Sequence, residues 1–302
     1  MPIPVPDGFK PIELDDKPVF DELFSRFEPE ISEYTFTNLF MWRDHYRFAW
    51  RTVEGTLLLL SFADERKIVA FPPVGSTLGP AIDAATVLAT DLGLPLELHR
   101  LPESCLQQLQ AEGCSLAATD DRSNWDYVYR QADLSTLQGP DYADMRKKIS
   151  RFTRDNDWTY KPLDEEAVTE CLEFQTDWCT AKACHENPSL HDEDIAIREA
   201  LDHWQELGFT GGIITAKGKV LAYTLGEALT STCAVVHVEK GSPAQKAFGA
   251  YQAINQQFAK ETCKDFEFIN REQDLGEPGL RRSKEAYAPV RMVRKHVATV
   301  TT

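Results

Sequence analysis

The chain has 302 residues, of which 42% are hydrophobic and 26% charged, with a formal net charge of −16 at pH 7. That length exceeds what one hydrophobic core usually serves, so two domains are expected, and the composition disfavours disorder. The acidic balance argues against an extended nucleic-acid surface, and the short apolar runs and the lack of a basic-then-apolar start predict a soluble cytoplasmic protein with no transmembrane segment.

In chain order, a short strand is expected over 9–14, a helix over 18–27 opening on Pro18, and a helical stretch over 37–45. Three strand-like runs follow at 46–53, 56–62 and 67–71, with Glu54-Gly55 as a hairpin turn. A helix over 80–92, a strand at 96–98, a helix over 102–112 and a strand at 114–119 complete the first half. Its aromatic cluster (Tyr34, Phe36, Phe40, Trp42, Tyr46, Phe48, Trp50) is read as core packing rather than a stacking platform for bases. The polar stretch 120–124 marks the boundary, giving expected domains 1–122 and 123–302.

The second half repeats the order. Strands are expected at 125–133 and 158–163, an amphipathic helix over 140–156, and helices over 165–183 and 192–207. A three-stranded meander follows over 209–216, 220–228 and 232–239. A long helix over 243–263, a strand at 265–270, a helix over 278–287 and a last strand over 290–300 end the chain. Each half therefore reads as strand, two helices, three antiparallel strands, helix, strand, helix, strand. The fold class is α/β with mixed sheets, and the order resembles two tandem acetyltransferase-like (GNAT) domains, as in FemABX-type aminoacyltransferases.

The seven cysteines (Cys105, Cys114, Cys171, Cys179, Cys184, Cys233, Cys263) form no C-x-x-C pair and are odd in number, so no disulfide framework is expected. Cys179, Cys184, His185 and His191 match no zinc spacing, and no metal site is predicted.

Three stretches carry the chemistry. The first runs from Asp133-Leu134 to Arg146-Lys147-Lys148-Ile149-Ser150-Arg151-Phe152. The second is His237-Val238-Glu239-Lys240 with Gly249-Ala250-Tyr251-Gln252-Ala253-Ile254-Asn255. The third is Ile269-Asn270-Arg271-Glu272-Gln273-Asp274-Leu275-Gly276, then Arg281, Lys284 and Tyr287. Together, over about residues 32–295, they resemble a bacterial family similar to the cytosolic C-terminal domain of phosphatidylglycerol lysyltransferases. The resemblance implies a dual acetyltransferase-like fold and an acyl-transfer ancestry. The chain lacks the multi-helix membrane half of those enzymes, which argues against a lipid acceptor, and its acidity argues against tRNA as donor.

Read physically, the strands ending at Glu239 and Asn270 are expected to be neighbours that splay apart and expose backbone groups to an acyl-bearing ligand. Glu239 is the candidate general base and Tyr287, by analogy with acetyltransferases, the candidate general acid. His237 shares a strand face with Glu239 and is either a substrate contact or a hydrogen-bonded core histidine. Asn270, Glu272 and Asp274 are candidates for orienting a substrate amine, Asp274 equally for capping a helix. Arg281 and Lys284, neighbours on one helix face, are candidates for gripping an anion. From Arg271 onward seven basic residues face four acidic ones, which suits a small anionic or acyl-bearing substrate. In the segment 241–250 the glycine of a coenzyme-A turn comes one residue late and Pro243 removes a donor. The donor therefore stays open between acyl-coenzyme A and aminoacyl-tRNA. The expected activity is acyl or aminoacyl transfer to an amine, and the alternative is a non-catalytic module binding a small anion or peptide.

Overall fold

Alternation and turn chemistry fix the strands. In the computed structural model, which describes residues 3–301, β1 (Lys10–Pro11), β2 (Phe48–Val53), β3 (Thr56–Ser61), β4 (Ile68–Ala70), β5 (Leu96–Pro102) and β6 (Leu116–Asp120) come from the first half. β7 (Asp126–Arg130), β8 (Trp158–Pro162), β9 (Thr210–Ala216), β10 (Lys219–Ala228), β11 (Cys233–Gly241), β12 (Phe268–Asn270), β13 (Arg291–Val293) and β14 (Lys295–Val300) follow. Glu54 and Gly55 both adopt positive φ, which matches the twist of the β2–β3 hairpin. Lys217 and Gly218 do the same between β9 and β10.

The strands form two seven-stranded mixed sheets, in the orders β1-β2-β3-β4-β5-β14-β6 and β13-β7-β12-β11-β10-β9-β8. In each, four strands lead to a parallel pair, β4–β5 in the first and β11–β12 in the second. Beyond that pair the first sheet takes in β14, from the end of the chain, and the second takes in β7, the strand that opens its own half.

By contacts the chain forms two compact units: residues 1–126, 273–277 and 292–302, and residues 127–272 and 278–291. A single cut near 122, as the polar stretch suggested, does not describe this division, because the chain returns to the first unit twice. The expected strand over 290–300 is accordingly two strands in two sheets. Lys295, fully buried, donates to Glu33 (2.6 Å) and Asp126 (2.7 Å), both in the first unit. An ion paired in this way anchors β14 there, since an unpaired buried charge would be strongly unfavourable.

In the first unit β3 is buried along its whole length, so its run of leucines faces packing on both sides. Leu58, Leu60, Ile68 and Ala70 pack with Ala81, Ile82, Ala85 and Ala89 of the helix Gly79–Leu92. Truncating one of those leucines to alanine typically costs about 2–5 kcal/mol. The aromatic cluster is largely core: Tyr34, Phe36, Phe40, Phe48 and Trp50 are buried. In the second unit Phe152, Ile214 and Ala222 pack with Ala250, Ala253 and Ile254.

The expected long helix over 243–263 is shorter. It begins at Ala250, after a 3₁₀ turn at Gln245–Ala247, and passes from α-helix (Ala250–Gln257) into a π-helical turn (Phe258–Thr262). Gly249 sets the start: its φ is +100°, and a Cβ there would lie 2.3 Å from the Lys148 carbonyl oxygen. A short helix at Gln131–Thr136 takes the end of the expected strand 125–133. Contrary to the reading of unpaired thiols, Cys179 and Cys184 form a disulfide that ties the end of the helix Glu165–Lys182 to the following turn. Cys105, Cys114, Cys171, Cys233 and Cys263 are free. No described helix is long and apolar enough to cross a membrane, and no described cluster of His, Cys, Asp and Glu has the geometry to hold a metal ion.

Candidate functional site

The parallel pair of the second unit is short. Cys233, Ala234 and Val235 pair with Phe268, Ile269 and Asn270, and there the pairing ends while β11 runs on to Gly241. After Asn270 the chain stays with β7: the Arg271 N–H donates to the Tyr127 carbonyl, and the Tyr127 N–H donates to the Glu272 carbonyl. The two strands thus part beyond Val235 and Asn270.

Glu239, on the free-running part of β11, and Arg271, just past β12, bridge that opening. Glu239 Oε2 accepts from Arg271 Nε (3.0 Å), from Arg271 Nη2 and from the Tyr251 hydroxyl (3.3 Å). Its Oε1 accepts from Asn255 Nδ2 (2.9 Å). Tyr251 and Asn255 lie one turn apart on the helix Ala250–Gln257 and present one face to the carboxylate. The pair is nearly excluded from water, with 7% of the Glu239 and 3% of the Arg271 side chain exposed. Burial alone would favour a neutral guanidine, but the Glu239 carboxylate and, after it, Tyr251, Tyr129 and Tyr287 together outweigh burial and hold Arg271 charged.

The Arg271 guanidinium also lies 4.6 Å from the Tyr287 ring centroid and 5.5 Å from that of Tyr129. Burial raises the Tyr287 pKa, and the neighbouring cation draws it back only partly, so the phenol is protonated at neutral pH. Three buried polar atoms here have no hydrogen-bond partner: Arg271 Nη1, Tyr287 Oη and Asn255 Oδ1. Arg271 is near enough to act on the Tyr287 hydroxyl electrostatically but makes no aligned hydrogen bond to it. Buried polar groups are seldom left unpaired, so three together mark a place where a polar ligand group or water belongs.

His237 points from the same face of β11 as Glu239. Its Nδ1 meets Glu272 (2.9 Å) and its Nε2 meets Glu227 of β10 (3.0 Å). Burial favours the neutral ring, yet the two carboxylates outweigh it and push the pKa up to about 9. The ring is therefore an imidazolium that donates from both nitrogens, and it cannot accept a proton at neutral pH.

The other predicted residues are placed as follows. Asn270 is fully buried and its Oδ1 accepts from the Glu272 N–H (2.8 Å), which supports the positive φ of Glu272. Asp274 belongs to the first unit, where it pairs with Arg122 (2.9 Å) and accepts from the Gly276 N–H (2.9 Å). Lys284 turns inward and donates to the Arg271 carbonyl. Arg281 is half-buried on the helix Pro278–Glu285. The structure therefore gathers Glu239 and Tyr287 around Arg271, with His237, Asn270 and Glu272 on the adjoining strands. Asp274 lies outside that group. Arg271, Tyr251 and Asn255 were not among the sequence candidates, although all three stand in the quoted motifs, and the i, i+4 spacing of Tyr251 and Asn255 was the available signal.

Comparison with known proteins places this arrangement. The family model "Phosphatidylglycerol lysyltransferase, C-terminal" matches residues 24–299. The chain belongs to this family. Among members and neighbours of known structure, a conserved Bacteroides thetaiotaomicron protein of unknown function is similar at 30% identity, over 97% of this chain and 99% of that one, with a TM-score of 0.90. L-PGS from Bacillus licheniformis matches at 12% identity over 98% of this chain and 94% of that one, with a TM-score of 0.68. A tandem GNAT protein from the clavulanic acid biosynthesis pathway matches at 11% identity, over 97% and 98%, with a TM-score of 0.52. At those low identities the last two establish the fold alone, and that fold is two GNAT-like halves over the full length. No curated protein matches the chain. As a member of the lysyltransferase C-terminal family, the chain has a transferase-like fold; its substrates are not fixed by that membership.

Proposed function

We propose that this member of the family transfers an acyl or aminoacyl group to an amine, using the opening between β11 and β12. The observation that carries the reading is the set of unpaired donors there: Arg271 Nη1 and Tyr287 Oη stand beside strands whose pairing has ended. A donor carbonyl held at that place would gain two hydrogen bonds as negative charge builds on its oxygen during attack by the amine. Tyr287, kept protonated by burial, is suited to pass its proton to the leaving thiolate or alkoxide as the carbonyl re-forms and releases that hydrogen bond. Glu239 holds Arg271 in place and takes the amine's proton only when one of its four donors is displaced. Arg281 is suited to an anionic part of donor or acceptor, and His237, Asn270 and Glu272 orient the strand ends.

A second reading has its own support. Glu239, Asn270 and Tyr287 are nearly closed off from solvent, at 7%, 0% and 2% exposed. Such closure suits a catalytically idle module that binds a small anion or peptide. A thermal-shift screen of the purified chain against acyl-coenzyme A species, aminoacyl-tRNA, amino acids and small phosphorylated anions separates the two. A ligand at ~100 times its dissociation constant stabilises by about 2.7 kcal/mol. An acyl or aminoacyl donor whose shift is lost in Tyr287→Phe and Arg281→Ala supports transfer. Silence from every acyl and aminoacyl donor, with a response to a small anion, supports the binding module.

A further inference from the structure

The disulfide of the second unit stands beside the end of β11. Cys179 lies in the last turn of the helix Glu165–Lys182 and Cys184 in the turn that follows. Cys184 is buried and Cys179 only half-buried, while the chain around them, at 180–182 and 185–189, is exposed. Ala183, between the two cysteines, has φ +50°, a left-handed conformation that a residue with a Cβ rarely adopts. A short, exposed, left-handed connection holds its shape poorly by itself, and the bridge supplies the constraint.

What the bridge holds reaches the candidate site. Trp178, the residue before Cys179, donates from its indole N–H to the Gly241 carbonyl (3.2 Å), and the Lys240 ammonium lies 4.1 Å from the centre of its ring. Lys240, 8% exposed, donates to Glu193 (2.7 Å) of the helix Pro188–Asp202, the helix that follows the bridge. Trp178 and Glu193 thus grip the last two residues of β11, directly after Glu239. Gly241 in turn lies against Tyr251, whose hydroxyl donates to Glu239 (3.3 Å): a Cβ at Gly241 would stand 3.4 Å from the Tyr251 nitrogen. One turn before the bridge the helix is fixed independently, since the buried Gln175 donates to Asp194 (2.9 Å) and accepts from Tyr223 (2.7 Å). Loss of the bridge would therefore free the chain from about Trp178 onward and leave the rest of the helix in place. Cys171, on the same helix, is fully buried with its thiol pKa pushed up by burial, so it offers no competing thiolate.

We infer that the Cys179–Cys184 bridge is a redox device: closed, it holds Trp178 and Glu193 on the end of β11, and cleaved by a dithiol reductant, it lets that end move and loosens the opening between β11 and β12. In the cleavage a thiolate of the reductant attacks the Cys179 sulfur, and Cys184 leaves as a thiolate and takes up a proton. The second thiol of the reductant then displaces Cys179 from the mixed disulfide. Two electrons and two protons pass to the chain, and the reductant ends as a disulfide. As regulation of that opening the inference rests on its reading as the functional site, but its test reads the strand end and not turnover.

The test is hydrogen exchange of the full chain, followed by mass spectrometry, with the bridge closed by oxidised glutathione and cleaved by dithiothreitol. Labelling with a maleimide reports the state of each cysteine. Cleavage is expected to raise exchange at least about threefold in both 178–190 and 238–250, and to leave the helix Gly79–Leu92 of the first unit unchanged. Cys179→Ser combined with Cys184→Ser is expected to reproduce the cleaved pattern without reductant, circular dichroism confirming its fold; if it does not fold, the reduced wild type decides the matter. Trp178→Phe keeps a ring but removes the indole donor. It is expected to raise exchange at 238–250 with the bridge closed, and to cut the response there to dithiothreitol to less than about half. The inference is overturned if exchange rises in 178–190 alone, or if Trp178→Phe responds at 238–250 as the wild type does. It is overturned equally if the two cysteines stay thiols in excess oxidised glutathione, or if the bridge survives excess dithiothreitol. Failure of the transfer assay with the exchange response intact would refute the transfer reading and leave the device standing.

Discussion

Where β4 and β5 separate, the first unit leaves a cavity of about 400 Å³ walled by apolar side chains and carboxylates. Where β11 and β12 separate, the second unit spans the gap with the Glu239–Arg271 pair and packs Tyr129, Tyr251 and Tyr287 around it. The same strand arrangement is thus resolved in two ways. A void forfeits packing, while a buried ion pair requires desolvation of both charges and, here, leaves three polar atoms unpaired. Neither choice is what stability alone would select, and the unpaired polar atoms of the second opening are why that one is read as a place for a ligand.

The comparison breaks most sharply at Arg271. Arg271→Ala strands the buried Glu239 carboxylate and is expected to lower unfolding free energy by about 3–5 kcal/mol in urea. Arg271→Met combined with Glu239→Leu should recover most of that loss. If the single variant unfolds at wild-type urea concentration, the pair does not hold the opening.

The next largest effect is pH-dependent. His237 has a folded pKa of about 9 against an ordinary 6.5, so its stabilisation is present in full below the unfolded pKa and is lost as pH rises through the folded one. The difference amounts to roughly 3 kcal/mol between about pH 6 and pH 10. Urea midpoints across that range should fall for the wild type, and His237→Gln should remove this component. A slope that survives the substitution would move the origin elsewhere.

Tyr287→Phe sharpens the comparison because it deletes a hydroxyl that bonds to nothing. Its stability is expected to change by less than about 1 kcal/mol, and a loss of 2 kcal/mol or more would mean that the hydroxyl is satisfied. Smallest of all, Ser104→Phe at the open cleft should shift stability by no more than about 0.5 kcal/mol, since its side chain is exposed and the hydrogen bond it gives Glu30 (3.0 Å) is open to water. A larger loss by thermal unfolding would show that the cavity is less roomy than described.

Local physics was legible in the chain. Glu54-Gly55 announced its hairpin, and the order of helices and strands announced two GNAT-like halves. What escaped was decided by distant partners. Nothing within 290–300 signals that the run changes sheets; the cause is Lys295, which meets Glu33 and Asp126 far away in sequence. The late start of the helix at Ala250 turns on Gly249 approaching the Lys148 carbonyl, again a tertiary fact. Cys179 and Cys184 are five residues apart, a spacing that by itself predicts no bridge. At the candidate site, the splay between the strands of Glu239 and Asn270 follows from the fold and was anticipated. The centring of the cluster on Arg271 was not, because a fully buried arginine is rare and its partners come from β11 and a separate helix.

The central claim, that the second unit's opening performs group transfer, is tested most directly by single-turnover reaction of the purified chain with acyl-coenzyme A and with aminoacyl-tRNA, using a mixture of amine acceptors, in wild type and Tyr287→Phe. The account predicts product from at least one donor and a rate lower by about 10²-fold or more in the variant, the scale of a lost general acid, with stability unchanged. Product formed equally fast by Tyr287→Phe, or no product from either donor, would contradict it.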